Sequence, residues 1–226
     1  MARTISAARE EALGLSRRRR LVQLGLWPVM VLTLVLGWRY PWLGFTVPLV
    51  MLLGLVVGFF RGRYVCGHLC PRGAFFDRVM SRLSRGRPIP GWFRHAAFRW
   101  TLLAALMGFM VYRLSLDPGN WEHWGRVFWL MCALTSAVGI VLAVFIHPRS
   151  WCTFCPMGTM QAALDRGRPR IAIDSASCVG CRACEKACPM NLSIVSHREQ
   201  GHLPDRDCLK CPECRSVCPR DSLRLA

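Results

Sequence analysis

The sequence predicts a membrane bundle of four α-helices, built as two repeated hairpins, followed by a small α+β domain organised around clustered cysteines. Three observations carry this. Hydrophobic residues make up 53% of the 226 residues and bunch into four long runs. Arginines gather between those runs, and 12 of the 13 cysteines stand outside them in short repeated patterns. A formal charge of +17 would suit nucleic-acid binding in a soluble chain. Alternating with runs of membrane-crossing length, it reads instead as the basic face of a membrane protein, so lipid is the expected partner and nucleic acid is not.

The runs cover roughly 21–38, 43–60, 97–116 and 127–146. Each approaches the ~20 residues that cross about 30 Å of hydrocarbon. The first holds Pro28 and follows Arg17–Arg20, like a signal peptide, but Trp38, Arg39, Tyr40 and Pro41 follow it and supply no small-residue cleavage site. A retained helix is expected. Residues 1–20 carry six Arg, 61–96 eight, and 147–226 ten Arg and both Lys, whereas 39–42 and 117–126 carry one Arg each. Both termini and the central loop are therefore expected in the cytoplasm of a bacterial inner membrane, with the short connections outside. Trp38, Tyr40, Trp42, Trp121 and Trp124 suit an outer aromatic belt. Gly54 and Gly58 suit a close helix approach. The expected units are a basic tail over 1–20, a membrane domain over 21–165 and a soluble domain over 166–226.

The membrane part is duplicated. One half ends Cys66-Gly-His-Leu-Cys70-Pro71-Arg72-Gly73 and the other Cys152-Thr-Phe-Cys155-Pro156-Met157-Gly158. Arg-Gly-Arg-Pro follows each, at 85–88 and 166–169. Proline after cysteine opens a helix, which places Cys70 and Cys155 at helix N-termini, where the dipole favours thiolate. Cys66, Cys70, Cys152 and Cys155 supply four thiolates on one membrane face. Three readings stand: a shared third cluster or metal site, two redox-active dithiol pairs suited to Cu(I), or structural cysteines. His68 is a further candidate for a metal or a quinone oxygen. His123 is expected in the outer loop, and His147 as an imidazolium at a helix C-terminus. Cys132, inside an apolar run, reads as a small buried hydrophobe.

The C-terminal part repeats one unit: Cys178-x2-Cys181-x2-Cys184-x3-Cys188-Pro189, then Cys208-x2-Cys211-x2-Cys214-x3-Cys218-Pro219. This is the spacing of a bacterial ferredoxin with two [4Fe–4S] clusters, in which the fourth cysteine of each run ligates the other cluster. One set is then Cys178, Cys181, Cys184 and Cys218; the other is Cys208, Cys211, Cys214 and Cys188. Zinc would use separated pairs rather than three tight steps and a Cys-Pro. With few bulky apolar residues expected in its core, this domain should lean on ligation for stability.

Four membrane helices, two Cys-x(2–3)-Cys-Pro motifs and a two-cluster ferredoxin tail together resemble the NapH/NosR-type membrane-bound ferredoxin family, over residues 20–226. The second motif has x2 where the family usually has x3. The resemblance implies an electron carrier, or a quinol-linked oxidoreductase subunit, working between a cytoplasmic donor or the quinone pool and a periplasmic reductase or dehydrogenase system. The alternative is a maturation factor that reduces a metal ion or a disulfide for a metalloenzyme under assembly. Two [4Fe–4S] clusters are implied. A third centre at the membrane edge and a quinone are the open additions.

Overall fold

The computed structural model describes residues 7–165 and 169–225. Four helices are long and apolar enough to cross a membrane. They are α1 (Ala7–Leu36), a segment of 21 residues over Pro41–Arg61, α5 (Ala96–Ser115) and α6 (Trp121–Phe145). The second begins as a 3₁₀ turn, Pro41–Phe45, and continues as α2 (Thr46–Arg61). Asn120 caps α6, its side chain accepting from the N–H groups of Glu122 and His123. Trp121, His123 and Trp124 thus lie in the first turn of a helix rather than in a loop.

α1 begins 14 residues before the apolar run that announced it. Residues 7–20, expected as a basic tail, form an N-terminal extension of the same helix, and residues 1–6 lie outside the described part. Ser16 and Arg19 on this extension, and Gln23 one turn further on, are buried. Its amphipathic face packs on the helix over Pro71–Arg78 and on the C-terminal part, which is why an arginine-rich stretch is helical and docked.

Each hairpin is followed by a one-turn helix bearing a cysteine and then by a Cys-Pro helix. The first half has α3 (Tyr64–His68) and α4 (Pro71–Arg78); the second has α7 (Ser150–Phe154) and α8 (Pro156–Leu164). The halves interlock. Phe76 of α4 lies against Gly139 of α6, where a Cβ would come within 2.6 Å of the ring. Gly54 and Gly58 of α2 receive Gln161 of α8. The close approach expected at that glycine pair is made by this short helix. The Arg166–Pro169 link falls largely outside the described residues.

The C-terminal part has an antiparallel pair, β1 (Ile171–Ile173) with β2 (Leu223–Leu225), in register Ile171↔Leu225. Two short helices, α9 (Ala183–Lys186) and α10 (Glu213–Ser216), each carry the third cysteine of a run. Its core is richer than the composition suggested: Ile171, Ile173, Met190, Leu192, Ile194, Leu203, Leu209 and Leu223 are all buried. That core is continuous with an aromatic layer of Phe76, Phe93, Trp151 and Phe154 at the ends of the long helices. The two parts are thus packed together rather than tethered.

Candidate metal centres

The C-terminal cysteine runs match at two backbone positions and differ at a third, where Arg182 is left-handed and its counterpart Pro212 is not. Gly180 and Lys210, each two residues after the first cysteine of its run, both have positive φ, at 67° and 54°. Asn191 and Asp221, each three after the last cysteine, repeat the match at 52° and 51°. Turns of this hand, costly for a non-glycine residue, wrap the chain so that cysteines three apart face one point. Cys178, Cys181, Cys184 and Cys218 line one small cavity. Cys188, Cys208, Cys211 and Cys214 line another. Each cavity is lined by three cysteines of one run and the last cysteine of the other.

Burial pushes these thiols up: Cys184 and Cys211 to about 11, Cys208 to about 12. Among the described residues no three His, Cys, Asp or Glu side chains converge closely enough to hold a single metal ion. A cubane asks less convergence, because each thiolate binds its own iron corner. Four soft donors around one enclosed apolar space fit that group.

At the membrane edge, Cys70 is the N-cap of α4 and accepts from the Gly73 N–H at 3.5 Å, and Cys155 is the N-cap of α8. Both helix-start expectations hold. The dipole expectation does not hold for Cys70: burial outweighs the helix start and raises its pKa, as it raises that of Cys152 and lifts Cys66 to about 12. Cys66 donates from Sγ to Oε1 of Gln161 at 3.1 Å. Cys66, Cys70, Cys152 and Cys155 border one cavity of about 190 Å³ that runs between the long helices. Its walls are apolar and hold Met30, Met51, Met107, Met110, Met131 and Met157.

Two arginines, neither of them marked out by any motif, organise this edge. Arg63 and Arg149 are 0% and 1% exposed. Arg149 pairs with Asp77 at 2.7 Å and reaches the Cys66 carbonyl at 2.9 Å and Cys152 Sγ at 3.7 Å. Arg63 pairs with Asp207 at 2.8 Å and donates to the Cys152 carbonyl. Burial alone would raise Asp77, but Arg149 and Arg19 hold its carboxyl down at about 2. A signal does exist in the sequence: each arginine stands three residues before the first cysteine of its half.

The remaining candidates resolve differently. His68 stacks on Tyr64 with centroids 4.0 Å apart, and its Nδ1 lies 3.1 Å from that residue's carbonyl; burial lowers its pKa to about 4, so it is neutral. It does not line the membrane-edge cavity. His147 is also pushed toward neutrality by burial, and its Nδ1 accepts from the Arg149 N–H at 3.3 Å. The expected imidazolium at this helix end is replaced by a neutral acceptor. His123 Nε2 lies 2.8 Å from the Arg113 carbonyl. Cys132 is buried as expected, yet it also borders the cavity and receives the Arg72 guanidinium at 3.3 Å.

A family model described as a 4Fe-4S binding domain matches residues 43–90 and again 126–173, one match per half of the helical part. A second, described as a 4Fe-4S dicluster domain, matches 177–223. An uncharacterized protein of Methanocaldococcus jannaschii is 27% identical over 190 residues, 77% of this chain and 69% of that one. The methylamine utilization ferredoxin-type protein MauN of Methylobacillus flagellatus is 30% identical over 156 residues, 60% of this chain and 52% of MauN. A component of the ion-translocating oxidoreductase complex of Methanosarcina acetivorans is 30% identical over 61 residues, 27% of this chain and 23% of that component. No solved structure matches the chain. Two domain matches in the helical part, a third in the cysteine-rich tail and relatives named as ferredoxin-type proteins support a membrane-associated ferredoxin family of iron–sulfur electron-transfer proteins for this chain.

Proposed function

We propose that this iron–sulfur protein passes electrons across the membrane edge, between a cytoplasmic donor and a quinone or a periplasmic or membrane redox enzyme. Cys178, Cys181, Cys184 and Cys218 would hold one [4Fe–4S] cluster and Cys188, Cys208, Cys211 and Cys214 a second. Cys66, Cys70, Cys152 and Cys155 would hold a third centre. The carrying observation is that twelve motif cysteines line three cavities, four to each. Bound there, clusters supply one-electron transfer over a wide range of potentials. The chain's own contribution is burial, neutral surroundings and charge balance: Arg63 and Arg149 place fixed positive charge beside the membrane-edge thiolates.

Arginine placement orients the termini and the cysteine motifs to the cytoplasm of an inner membrane. The centres would then lie on one side of about 30 Å of hydrocarbon, so a lipid-soluble carrier must complete the path outward. The apolar cavity bordering Cys66, Cys70, Cys152 and Cys155 suits a quinone ring. The buried Trp151 Nε1, which has no partner among the described residues, and Arg72 offer it donors.

A second reading draws on the six methionines of the same cavity. Thioethers beside thiolates suit Cu(I), as a factor that reduces a metal ion for an enzyme under assembly would require. Iron and acid-labile sulfide per chain, with EPR, on anaerobically purified protein test both. About twelve irons in the parent and about eight after Ser replaces Cys66, Cys70, Cys152 and Cys155 support the first reading. About eight in both, with copper bound at the edge, supports the second. Zinc in place of iron overturns both.

A further inference from the structure

The two C-terminal quartets stand in different surroundings. The quartet Cys188, Cys208, Cys211 and Cys214 faces the helical part. Leu209, between two of its cysteines, lies so close to Gly67 that a Cβ there would come within 2.9 Å. Glu213, also between two of them, receives Ser16 at 3.1 Å and Arg19 at 2.8 Å. Arg94 donates to the Met190 carbonyl at 2.6 Å, just past Cys188. Lys210 lies 3.1 Å from Asp165.

The quartet Cys178, Cys181, Cys184 and Cys218 makes none of these contacts; Cys184 and Cys218 are buried, but one member reaches the surface. Cys181 is exposed, and Val179 beside it is 58% exposed. Arg182 and Arg220 line the same cavity wall, and no carboxylate among the described residues does. Lys186 and Arg220 are exposed, and the Arg182 side chain is 74% exposed. Among the acids near this rim, Glu185 is 3.9 Å from Arg182 and already accepts from the Val195 N–H at 2.8 Å. Its charge is partly spent on the backbone. The result is an apolar spot over a cysteine quartet, rimmed by positive charge.

We propose that this rim, Val179 with Arg182, Lys186 and Arg220, is the docking surface for an acidic, soluble one-electron carrier protein. It follows that the quartet beneath this rim is the port and the quartet packed against the helical part the inward relay. This rests on the cluster ligation proposed above. A transient redox encounter needs little buried area, and complementary charge raises its rate. A cluster held by Cys178, Cys181, Cys184 and Cys218 would supply the acceptor for one electron given up by the carrier's reduced prosthetic group. No bond or proton moves.

The test uses the full chain in zwitterionic nanodiscs and a plant-type acidic [2Fe–2S] ferredoxin as probe. Iron, sulfide and dithionite reduction are measured first; a shortfall there fails the ligation reading, separately from the docking proposal. With clusters in place, R182E/K186E/R220E is expected to weaken probe binding at least ~10-fold at low salt and to slow electron transfer similarly. Parent binding is expected to fall as salt rises. R113E/R126E, at the opposite end of the long helices, is expected to leave binding unchanged. Equal affinity for parent and triple variant, or no probe binding by the parent, overturns the proposal. Protection of 179–186 from hydrogen exchange by anionic nanodiscs alone assigns the rim to lipid and also overturns it.

Discussion

Arg63 and Arg149 hold each other's cysteine loop. Arg149, three residues before Cys152, donates to the carbonyl of Cys66, and Arg63, three residues before Cys66, donates to the carbonyl of Cys152. Each guanidinium also lies against the opposite Cys-Pro helix start, at Gly73 for Arg149 and Gly158 for Arg63, where a Cβ would come within 2.8 and 2.4 Å. The duplicated halves are therefore cross-tied at the level of their cysteines. The unequal spacing of the two motifs is absorbed without breaking this exchange.

Removing one tie should be costly. Arg149→Met leaves Asp77, whose side chain is 10% exposed, with Arg19 as its remaining ion partner among the described residues. Breaking a buried pair on one side costs about 3–5 kcal/mol, because the other charge stays desolvated. The expected result is a large drop in the thermal midpoint of the detergent-solubilised protein and loss of metal from the edge quartet. Adding Asp77→Asn to Arg149→Met should recover part of that stability. A double variant no better than the single one would show that Arg149 acts through the cysteine carbonyl and not through Asp77.

The same carboxylate has a defined pH signature. Its folded pKa, about 2, lies below the ordinary carboxylate value near 3.9. The unfolded state therefore binds the proton more readily. Asp77 contributes stability that is fully present above about pH 4 and lost as pH falls toward 2. The stability gap between parent and Asp77→Asn should be flat from about pH 8 to 5.5 and should narrow only below about 4. A gap that changes near neutrality would point to a histidine, not to this network.

The joint between the two parts is tested at Gly67. A Cβ there would approach the Leu209 side chain and carbonyl, both at 2.9 Å. Gly67→Val should force the loop carrying Cys208 and Cys211 away from the membrane edge. Overpacking of this kind costs about 1–3 kcal/mol. Hydrogen exchange at 207–216 should rise markedly while α5 and α6 stay protected. Unchanged exchange at 207–216 would mean that the two parts move independently already.

Much of this is legible in residue type and spacing. The long helices follow from apolar runs, and the quartets of the tail follow from three-residue steps that the left-handed turns at Gly180 and Lys210 convert into a common direction. What is not legible depends on burial. Arg17–Arg20 is one basic run in the sequence, yet Arg19 alone of the four is buried, between Asp77 and Glu213. The helical angle that selects it is set by packing partners 58 and 194 residues away. The thiol of Cys70 departs from its expected behaviour for the same reason: a local dipole is visible in the sequence, and its enclosure is not.

The cavity offers the last prediction. Met110 and Thr135 border it, Thr135 with its hydroxyl on the Met131 and Cys132 carbonyls. Filling it with Met110→Trp or Thr135→Trp should leave the fold, the iron count and reduction by dithionite near parental, since the added ring enters existing space rather than displacing core. Reduction of the centres by a quinol in lipid should fall steeply, because the apolar volume next to Cys66 and Cys152 is gone. Parental quinol kinetics in both variants would exclude this cavity as the quinone site. Loss of dithionite reduction as well would indicate that the tryptophan had disturbed the edge quartet, and iron analysis of the same sample would show it.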